Sequence, residues 1–473
     1  QKAGKPNSFQ LAIINTTQQP ALQSLTNRNT RQQLFEHSWL RAERNDSNDT
    51  RKTILRIAEI RIQKAKLLGF PDYAAWKLQD QMAQSPETVN RFLARLVPPS
   101  VKKAATEANA IIELIKQEKD TFSLQPWDWD FYSEKVRKAK YDMDEAQVKP
   151  YFVMDSVLEN GVFFAAHALY GISFKERKDI PVYHDDVRVF EVFDNDGTAI
   201  ALFYADYFKR DNKQGGAWMS NMVEQSGLFG TRPVIYNVCN FPKPVQGQPA
   251  LISFDDVTTM FHEFGHALHG IFSSQQYPTL SGTSVARDFV EMPSQFNEHW
   301  ALDTTVLRHY AKHYQTGEPI PEVLINRIKA AATFNQGYAF TEILAAANLD
   351  MQWHELTPED AAIKDVDAFE KTALQKTGVD ISYVPPRYRS SYFLHIWSNG
   401  YSAGYYAYTW ADMLNHDAFD WFQTHGGLTR ENGQRFRDMI LSKGNSENLA
   451  NMYRAFRGKD PDIRYLLKNR GLL

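Results

Sequence analysis

Apolar residues recur at helical spacing over most of this chain, and the pattern predicts a mainly helical protein. The clearest early helix begins at Ser85-Pro86, where a hydroxyl cap precedes a proline at the first helical position. Its apolar face runs from Val89 to Leu96, and Pro98-Pro99 predicts its end because proline removes a backbone donor. A separate helix is then expected from Ser100, with alanine and isoleucine residues on its buried face.

A short β-rich region interrupts the helices. Residues 187–193 and 199–207 are rich in β-branched and aromatic side chains, and Asp194-Asn195-Asp196-Gly197 between them predicts a hairpin turn. Residues 233–238 predict a further strand. Helical periodicity returns from Ser253 and continues to the C-terminus. The predicted fold class is therefore mainly α, with one small antiparallel β-sheet.

The charge balance narrows the range of partners. The 473 residues carry 53 Lys and Arg against 56 Asp and Glu, for a formal net charge of -3. A nucleic-acid-binding protein usually carries an excess of basic residues, which this chain lacks, so we expect no nucleic-acid partner. The longest apolar-rich stretch, residues 161–174, contains His167 and is shorter than the roughly 20 residues that span a bilayer. We therefore expect no membrane association.

Cys239 is the only cysteine, which excludes an internal disulfide and a cysteine-based metal cluster. This cysteine usage fits a reducing compartment, so the predicted location is the cytoplasm, with the periplasm as the alternative. The sequence starts at Gln1, without an initiator methionine or an apolar signal. We interpret it as a fragment or a processed product whose targeting segment is missing.

The segment His262-Glu263-Phe264-Gly265-His266 carries the strongest chemical signal. Ser253, followed three residues later by Asp256, is typical of a capping box and predicts that a helix starts there. On that helix the two histidines lie one turn apart on the same face, which suits two ligands of one zinc ion. Glu263 is turned by roughly 100° around the axis, so it can activate a zinc-bound water without binding the metal.

The pattern H-E-x-x-H arises by chance in about two of every hundred chains of this length and histidine content. Such a chance motif would place hydrogen-bonded histidines on a polar helix face, but the helix predicted here is largely apolar, which favours metal binding. A catalytic zinc needs a third protein ligand. Spacing favours Glu291, with Glu298 as the rival, and Asp288 is expected to orient a ligand histidine. His269 lies roughly 10 Å along the axis from His262, too far to share the ion, and is expected beside the site or at its rim.

Three sequence blocks together resemble the thimet oligopeptidase family of zinc metallopeptidases. They are the histidine motif, Phe289-Val290-Glu291-Met292-Pro293-Ser294-Gln295, and the segment from His395 to Tyr408 with its glycines. The resemblance implies that His262, His266 and Glu291 hold one zinc ion per chain. It also implies that the third block closes over the substrate, with catalytic roles for Tyr408 and His395 and substrate contacts from Tyr401, His395 and Tyr408.

Further likeness in residues 187–197 and 426–433 is to the peptidyl-dipeptidase branch of that family. It implies release of dipeptides from the C-termini of oligopeptides. Separately, we expect the protein to be a monomer. The implied fold is an elongated, helical, zincin-type metallopeptidase with a deep substrate channel. Residues 1–182 are then a helical wall of the channel, with an earlier part of the family fold missing. Residues 183–473 form the catalytic region, with a hairpin at 187–207 and the zinc helices at about 253–305.

The expected mechanism leaves several points open. Tyr408 is expected to stabilise the oxyanion, and the 187–207 hairpin to offer an edge strand to the peptide. Three guanidinium groups compete for the C-terminal carboxylate of the substrate, those of Arg287, Arg387 and Arg389. The alternative functions are an endo-acting oligopeptidase of the same family and a zinc-stabilised binding protein without catalysis.

Overall fold

The computed structural model describes residue 13 and residues 20–141, 145–360 and 363–473. The α-helices within these residues are α1 (Arg28–Trp39), α2 (Arg51–Leu67), α3 (Tyr73–Leu78), α4 (Pro86–Gln117), α5 (Pro126–Tyr141), α6 (Glu145–Val148), α7 (Met154–Ser156), α8 (Phe163–Tyr170), α9 (Phe254–Ile271), α10 (Arg287–Glu298), α11 (Thr304–Tyr310), α12 (Glu322–Ala331), α13 (Gln336–His354), α14 (Val366–Lys376), α15 (Leu394–Trp397), α16 (Ala407–Thr424), α17 (Arg430–Phe436), α18 (Leu449–Arg457) and α19 (Ile463–Asn469). The strands are β1 (Ser173–Glu176), β2 (Arg188–Phe193), β3 (Ala199–Phe208), β4 (Trp218–Val223) and β5 (Val234–Phe241). The predicted mainly helical fold class with one small sheet is confirmed.

One predicted helix boundary is wrong. Pro98 and Pro99 lie inside α4, which continues without a break to Gln117. The helix survives them because α13 packs along it: the hydroxyls of Ser100 and Thr341 are 2.7 Å apart, and both side chains are fully buried. Tertiary packing thus compensates for the two missing backbone donors.

The predicted hairpin is confirmed, since β2 and β3 pair antiparallel around a turn in which Gly197 has φ 82°. The sheet has the order β1-β2-β3-β5-β4. It is mixed, which corrects the expectation of a purely antiparallel sheet, because β3 and β5 are parallel. The chain turns back through β4, which pairs antiparallel with the outer side of β5, so β5 returns in the direction of β3.

The sheet order also corrects the expectation that the 187–207 hairpin offers an edge strand to a peptide. Both strands of the hairpin are interior, because β2 lies between β1 and β3, and β3 lies between β2 and β5. The sheet ends at β1 on one side and at β4 on the other. A peptide that adds to this sheet beside the helix of the histidine motif therefore has β4 as its template.

One apolar core extends from Ile54 to Leu472 and joins the helices to the sheet. It includes residues on both sides of position 182, and the division of the chain there stays a prediction. Of the predicted helical region, residues 1–12, 14–19 and 142–144 lie outside the described residues. Among the described helices, none combines the length and the apolarity needed to cross a bilayer.

The elements that carry the candidate site pack directly on one another. Helix α9 lies against β4 and β5 and contacts α10, and α10 is held between α9 and α16. The side chain of Asn237 on β5 donates to the backbone carbonyl of Glu263 at 2.8 Å. The sheet thus supports one side of α9 while α10 covers another.

Candidate active site

Helix α9 begins where the sequence predicts. Ser253 Oγ accepts from the backbone N–H of Asp256 at 3.1 Å, and the Asp256 carboxylate accepts from the N–H of Ser253 at 3.0 Å. This reciprocal cap sets the phase of the helix. His262 and His266 then project from one face with ring centroids 5.0 Å apart.

Glu291 on α10 brings its carboxylate to both imidazoles. Its Oε2 atom lies 3.3 Å from Nε2 of His262 and 3.1 Å from Nε2 of His266. Tetrahedral zinc with bonds of about 2.0–2.1 Å separates its ligands by roughly 3.3 Å. The three side chains, whose ligand atoms lie within 4.8 Å of one another, therefore fit one zinc ion.

The charge state of Glu291 suits this position. Burial by itself raises the pKa of a carboxyl group, but here the neighbouring His266 and His262 outweigh burial and lower the pKa of Glu291 well below its usual range. Ser294 also donates to its Oε2 at 3.2 Å. The carboxylate is thus held ionised, as a metal ligand must be.

Glu298, the alternative to Glu291 as the third ligand in the sequence analysis, lies beside His262 on the side away from the other two groups. Its Oε1 atom lies 2.6 Å from Nδ1 of His262, so it accepts from that nitrogen and leaves Nε2 facing His266 and Glu291. The signal was its position seven residues after Glu291, on the same face of α10. Asp288, expected in that role, instead accepts from the backbone N–H groups of residues 82 and 83.

Glu263 lies beside the ligand cluster with its side chain only 5% exposed. Its Oε2 atom has no hydrogen-bond partner among the described residues. Burial raises the pKa of this carboxyl group, partly opposed by His262 and His266. A carboxylate with a raised pKa and an uncommitted oxygen is suited to accept a proton from a water molecule.

His269 does not lie at the rim of the site, as one expectation had it. It is fully buried, and neither ring nitrogen has a hydrogen-bond partner among the described residues. Burial lowers the pKa of His269 to about 3. The residue is a neutral member of the apolar core, and its imidazole is not among the three groups that converge on the candidate metal position.

The spacing between α9 and α10 is fixed at Gly265. A Cβ atom on this residue would lie 2.6 Å from Cα of Ser294 and 2.7 Å from the carbonyl oxygen of Pro293. Asn297 ties the same two helices together by donating to the carbonyl of Phe261 at 2.7 Å. The glycine of the motif therefore lets Glu291 approach the histidines.

The third sequence block brings its aromatic side chains to the same place. The rings of Tyr401 and Tyr408 stack with centroids 5.2 Å apart, and the Tyr401 hydroxyl donates to Oε1 of Glu291 at 3.2 Å. The His395 ring is 5.8 Å from that of Tyr401 and 6.4 Å from that of Tyr408. Burial raises the pKa of Tyr401 to about 12 and also raises the pKa of Tyr408 well above its usual value, so both phenols stay protonated and can donate.

Sequence reasoning missed the anchor of this block. The buried carboxylate of Asp350 on α13 accepts from the backbone N–H groups of Ala403, Gly404 and Tyr405 at 2.8–2.9 Å. Ala403 has φ 51°, a conformation rare for alanine. An isolated aspartate in a helix carries no signal for such a distant contact, although it fixes the backbone between Tyr401 and Tyr408.

The three candidate arginines lie in different surroundings. Arg389 forms ion pairs with Glu370, Glu43 and Asp367 and is 11% exposed. Arg287 is exposed, and its guanidinium lies 4.5 Å above the ring of Tyr401.

Arg387 lines a cavity together with His395 and Tyr408. It also forms an ion pair with Glu342 at 3.1 Å. It therefore shares a cavity wall with both of these predicted substrate contacts.

Comparison with known proteins identifies the relatives of the chain. The sequence model of peptidase family M3 matches residues 21–472. Dipeptidyl carboxypeptidase of Escherichia coli (strain K12) is 56% identical over 469 residues, which are 99% of this chain and 69% of the relative. Oligopeptidase A of the same organism is 38% identical over 430 residues, which are 90% of this chain and 62% of that relative.

Solved structures agree in fold at low sequence identity. The structure titled PZ peptidase A with inhibitor 2 is 14% identical with a TM-score of 0.56, over 96% of this chain and 69% of that one. A putative oligoendopeptidase F is also 14% identical, with a TM-score of 0.55, over 96% and 68% of the two chains. The predicted family is confirmed by the sequence match, and the chain belongs to peptidase family M3, a family of metallopeptidases.

Proposed function

We propose that this chain is a zinc-dependent peptidyl-dipeptidase that removes dipeptides from the C-termini of oligopeptides. The observation that carries the proposal is the buried carboxylate of Glu263 beside three convergent ligand groups. The chain is 56% identical to dipeptidyl carboxypeptidase and 38% identical to oligopeptidase A. The higher identity supports release of C-terminal dipeptides over the alternative of an endo-acting oligopeptidase.

One zinc ion per chain is proposed at His262, His266 and Glu291, because two imidazoles and one carboxylate form a usual donor set for catalytic zinc. When bound there, the ion supplies Lewis acidity, which polarises a carbonyl group and lowers the pKa of water. Glu298 keeps the Nδ1–H of His262 engaged, so that Nε2 presents its lone pair to the cation.

Glu263 is proposed as the general base. Its Oε2, which has no hydrogen-bond partner among the residues that the structure describes, takes a proton from the attacking water and returns it to the nitrogen of the departing dipeptide. The raised pKa brings the carboxyl group closer to the working pH, where proton transfer in both directions is efficient. Its backbone carbonyl, bound by Asn237, fixes the turn of α9 from which the side chain extends.

Tyr408 is proposed to donate to the carbonyl oxygen as negative charge develops there, with His395 and Tyr401 as further contacts to the substrate. The Tyr401 hydroxyl, which donates to Glu291, exchanges that acceptor for a substrate group when a peptide binds. All three side chains meet through ring contacts, so they approach the substrate as one unit.

Substrates are proposed to be oligopeptides, held in extended form along the edge strand β4. Main-chain hydrogen bonds to an edge strand hold a peptide with little regard to its side chains. For the assembly we propose a monomer, testable by light scattering of the purified chain. For the compartment we propose the cytoplasm over the periplasm, since a single cysteine permits no internal disulfide.

The test is product analysis by mass spectrometry on an unblocked oligopeptide, using zinc-loaded wild type, Glu263→Gln and a matched Glu191→Gln control. Glu191 lies on β2 and pairs with Arg177, so its loss removes a carboxylate outside the site. We expect successive loss of C-terminal dipeptides by wild type and the control. We expect cleavage by Glu263→Gln to fall by a factor of 10² or more.

The other outcomes separate the alternatives. Internal cuts that need Glu263 would move the protein to the endo-acting branch. Folded, zinc-loaded wild type that cuts nothing would refute catalysis by this chain and favour a zinc-stabilised binding protein. Full activity in Glu263→Gln would refute the assignment of the base alone.

A further inference from the structure

A cavity of about 420 Å³ lies beside Tyr408 and His395. Its volume falls within the range of roughly 300–1,000 Å³ that is usual for small-ligand sites. Two guanidinium groups, those of Arg387 and Arg470, contribute to its wall. Two carboxylates, those of Glu342 and Asp412, line it as well. The cavity therefore places two ion-paired guanidinium groups next to side chains that are proposed to contact the peptide.

The two arginines differ in how far they are already engaged. Arg470 donates to the Asp412 carboxylate at 2.8 and 2.6 Å and to Gln336 at 2.7 Å. Arg387 forms one ion pair, at 3.1 Å, with Glu342. Both residues line the cavity. The Arg387 side chain is 32% exposed while that of Glu342 is 1% exposed, so the guanidinium offers most of the open surface of this ion pair.

Arg387 is also fixed in place. Its backbone N–H donates to the carbonyl oxygen of Glu342 at 3.1 Å, which ties the residue to α13 at two points. A guanidinium carries five N–H donors in one plane, so it can keep the Glu342 contact and bind a second carboxylate. A held guanidinium loses less conformational entropy on binding than a free one.

The charge of Arg387 reaches the proposed substrate contacts. The pKa of His395 is lowered mainly by burial and, to a smaller extent, by the positive charge of Arg387. Arg387 thus lies within electrostatic range of the group that is proposed to touch the peptide, and both line one cavity.

The remaining two arginines are less suited to the task. Arg389 is surrounded by three carboxylates and is largely buried, so a fourth anion gains little there. Arg287 lines a separate cavity with Gly400 and Ser402, whose wall includes neither His395 nor Tyr408.

We infer that Arg387 binds the free α-carboxylate of the substrate and thereby restricts cleavage to the C-terminal dipeptide. The inference rests on the proposed function and names the residue that distinguishes a chain end from the middle of a chain. The ligand class is any peptide with an unmodified C-terminal carboxylate.

The test compares one peptide with a free C-terminal carboxylate and the same peptide with a C-terminal amide, using zinc-loaded wild type, Arg387→Gln, Arg387→Lys and Arg287→Gln. We expect Arg387→Gln to lose roughly 10- to 100-fold in kcat/KM on the free acid, the range for a hydrogen bond to a charged group. Its kcat/KM on the amide should change less than threefold, so the ratio between the two peptides approaches one.

Arg387→Lys is the control for a folding defect. Lysine keeps a positive charge beside the buried Glu342, so this variant should fold even if Arg387→Gln does not. We expect it to retain an intermediate ratio, since it lacks the planar fork of donors. Arg287→Gln should keep the wild-type ratio.

Wild type that prefers the free acid, together with Arg387 variants that keep the full preference, would overturn this inference and leave the proposed function intact. Loss of the preference in Arg287→Gln instead would assign the carboxylate to that residue. Wild type that cuts both peptides equally well would overturn the proposed function and this inference with it.

Discussion

Replacing Gly265 by alanine should weaken zinc binding far more than it weakens the fold. Gly265 lies between His262 and His266, the two histidines proposed as zinc ligands, at a close approach of α10. A Cβ atom there would lie 2.6 Å from Cα of Ser294 and 2.8 Å from Cβ of Asn297. Ordinary carbon contacts are about 3.5–4.0 Å, so the two helices must separate by about 1 Å.

The two free energies respond differently to that shift. Alanine in a helix is favoured over glycine by about 1 kcal/mol, whereas overpacking a core costs about 1–3 kcal/mol. The net loss of stability is therefore about 0–2 kcal/mol. Metal–ligand distances tolerate deviations of only about 0.2 Å, and α10 carries Glu291 away from the histidines. We expect zinc affinity to fall by about 100-fold, at the upper end of the effect of mutations near a metal site.

The assay measures zinc affinity by competition with a chromophoric chelator, and stability by urea unfolding in excess EDTA. Gly270→Ala is the matched control on the same helix. Its Cβ would lie 2.6 Å from Cδ1 of Ile235 and 3.0 Å from Cε of Met219. Both atoms are the ends of side chains that can rotate away, so zinc affinity should stay within about threefold of wild type.

If Gly265→Ala binds zinc as tightly as wild type, the helix crossing does not set the ligand distances. If Gly270→Ala loses as much affinity as Gly265→Ala, any methyl group added to α9 has the same effect and the close approach at Gly265 is not the cause.

Three further substitutions, one of them with a matched control, test the site and the core beside it. Glu298→Gln removes the charge that faces Nδ1 of His262, and zinc affinity should fall about 10-fold by chelator competition; unchanged affinity would show that this contact does not orient the ligand. Asp350→Asn replaces one of two acceptor oxygens by a donor, so hydrogen exchange at residues 403–405 should speed up and kcat should fall. Asp417→Asn, which affects a buried carboxylate bound to Tyr453, should leave exchange at 403–405 unchanged, and equal effects from both variants would contradict a local role. His269→Leu tests how the free energy of unfolding falls at acid pH. The pKa of His269 in the folded protein, about 3, lies below the usual value of 6.5. The contribution of the neutral imidazole to stability is therefore fully present above pH 6.5 and is lost as the pH falls. Wild type should lose about 1 kcal/mol relative to the variant between pH 6.5 and 5.5, and parallel stability curves from urea unfolding would contradict this.

Features that depend on neighbouring residues could be predicted from the sequence. The Ser253 cap, the Gly197 turn and the common face of His262 and His266 each follow from the conformation of a few consecutive residues. The resemblance in the block around Glu291 added the third ligand group, which the structure brings within 3.3 Å of both imidazoles.

Features that depend on distant parts of the chain could not be predicted. Helix α4 runs through Pro98 and Pro99 because α13 packs against it. Strand β5 is parallel to β3 because β4 takes the outer position. Asp288 was expected to orient a ligand histidine, and Glu298 was weighed only as a metal ligand. The structure instead places Glu298 at Nδ1 of His262, because the direction of α10 turns Asp288 towards the backbone of residues 82 and 83.

The position of α10 between α9 and α16 has a consequence for the order in which the protein assembles during synthesis. The ligand groups, at residues 262–291, leave the ribosome more than a hundred residues before α16 is complete. Until then, the helix that carries Glu291 lacks the surface against which its second face packs. We therefore expect zinc uptake to be a late event, and a chain released after residue 400 should bind zinc more weakly than the full chain in a chelator competition. Equal affinity would mean that α9, α10 and the sheet suffice to shape the site.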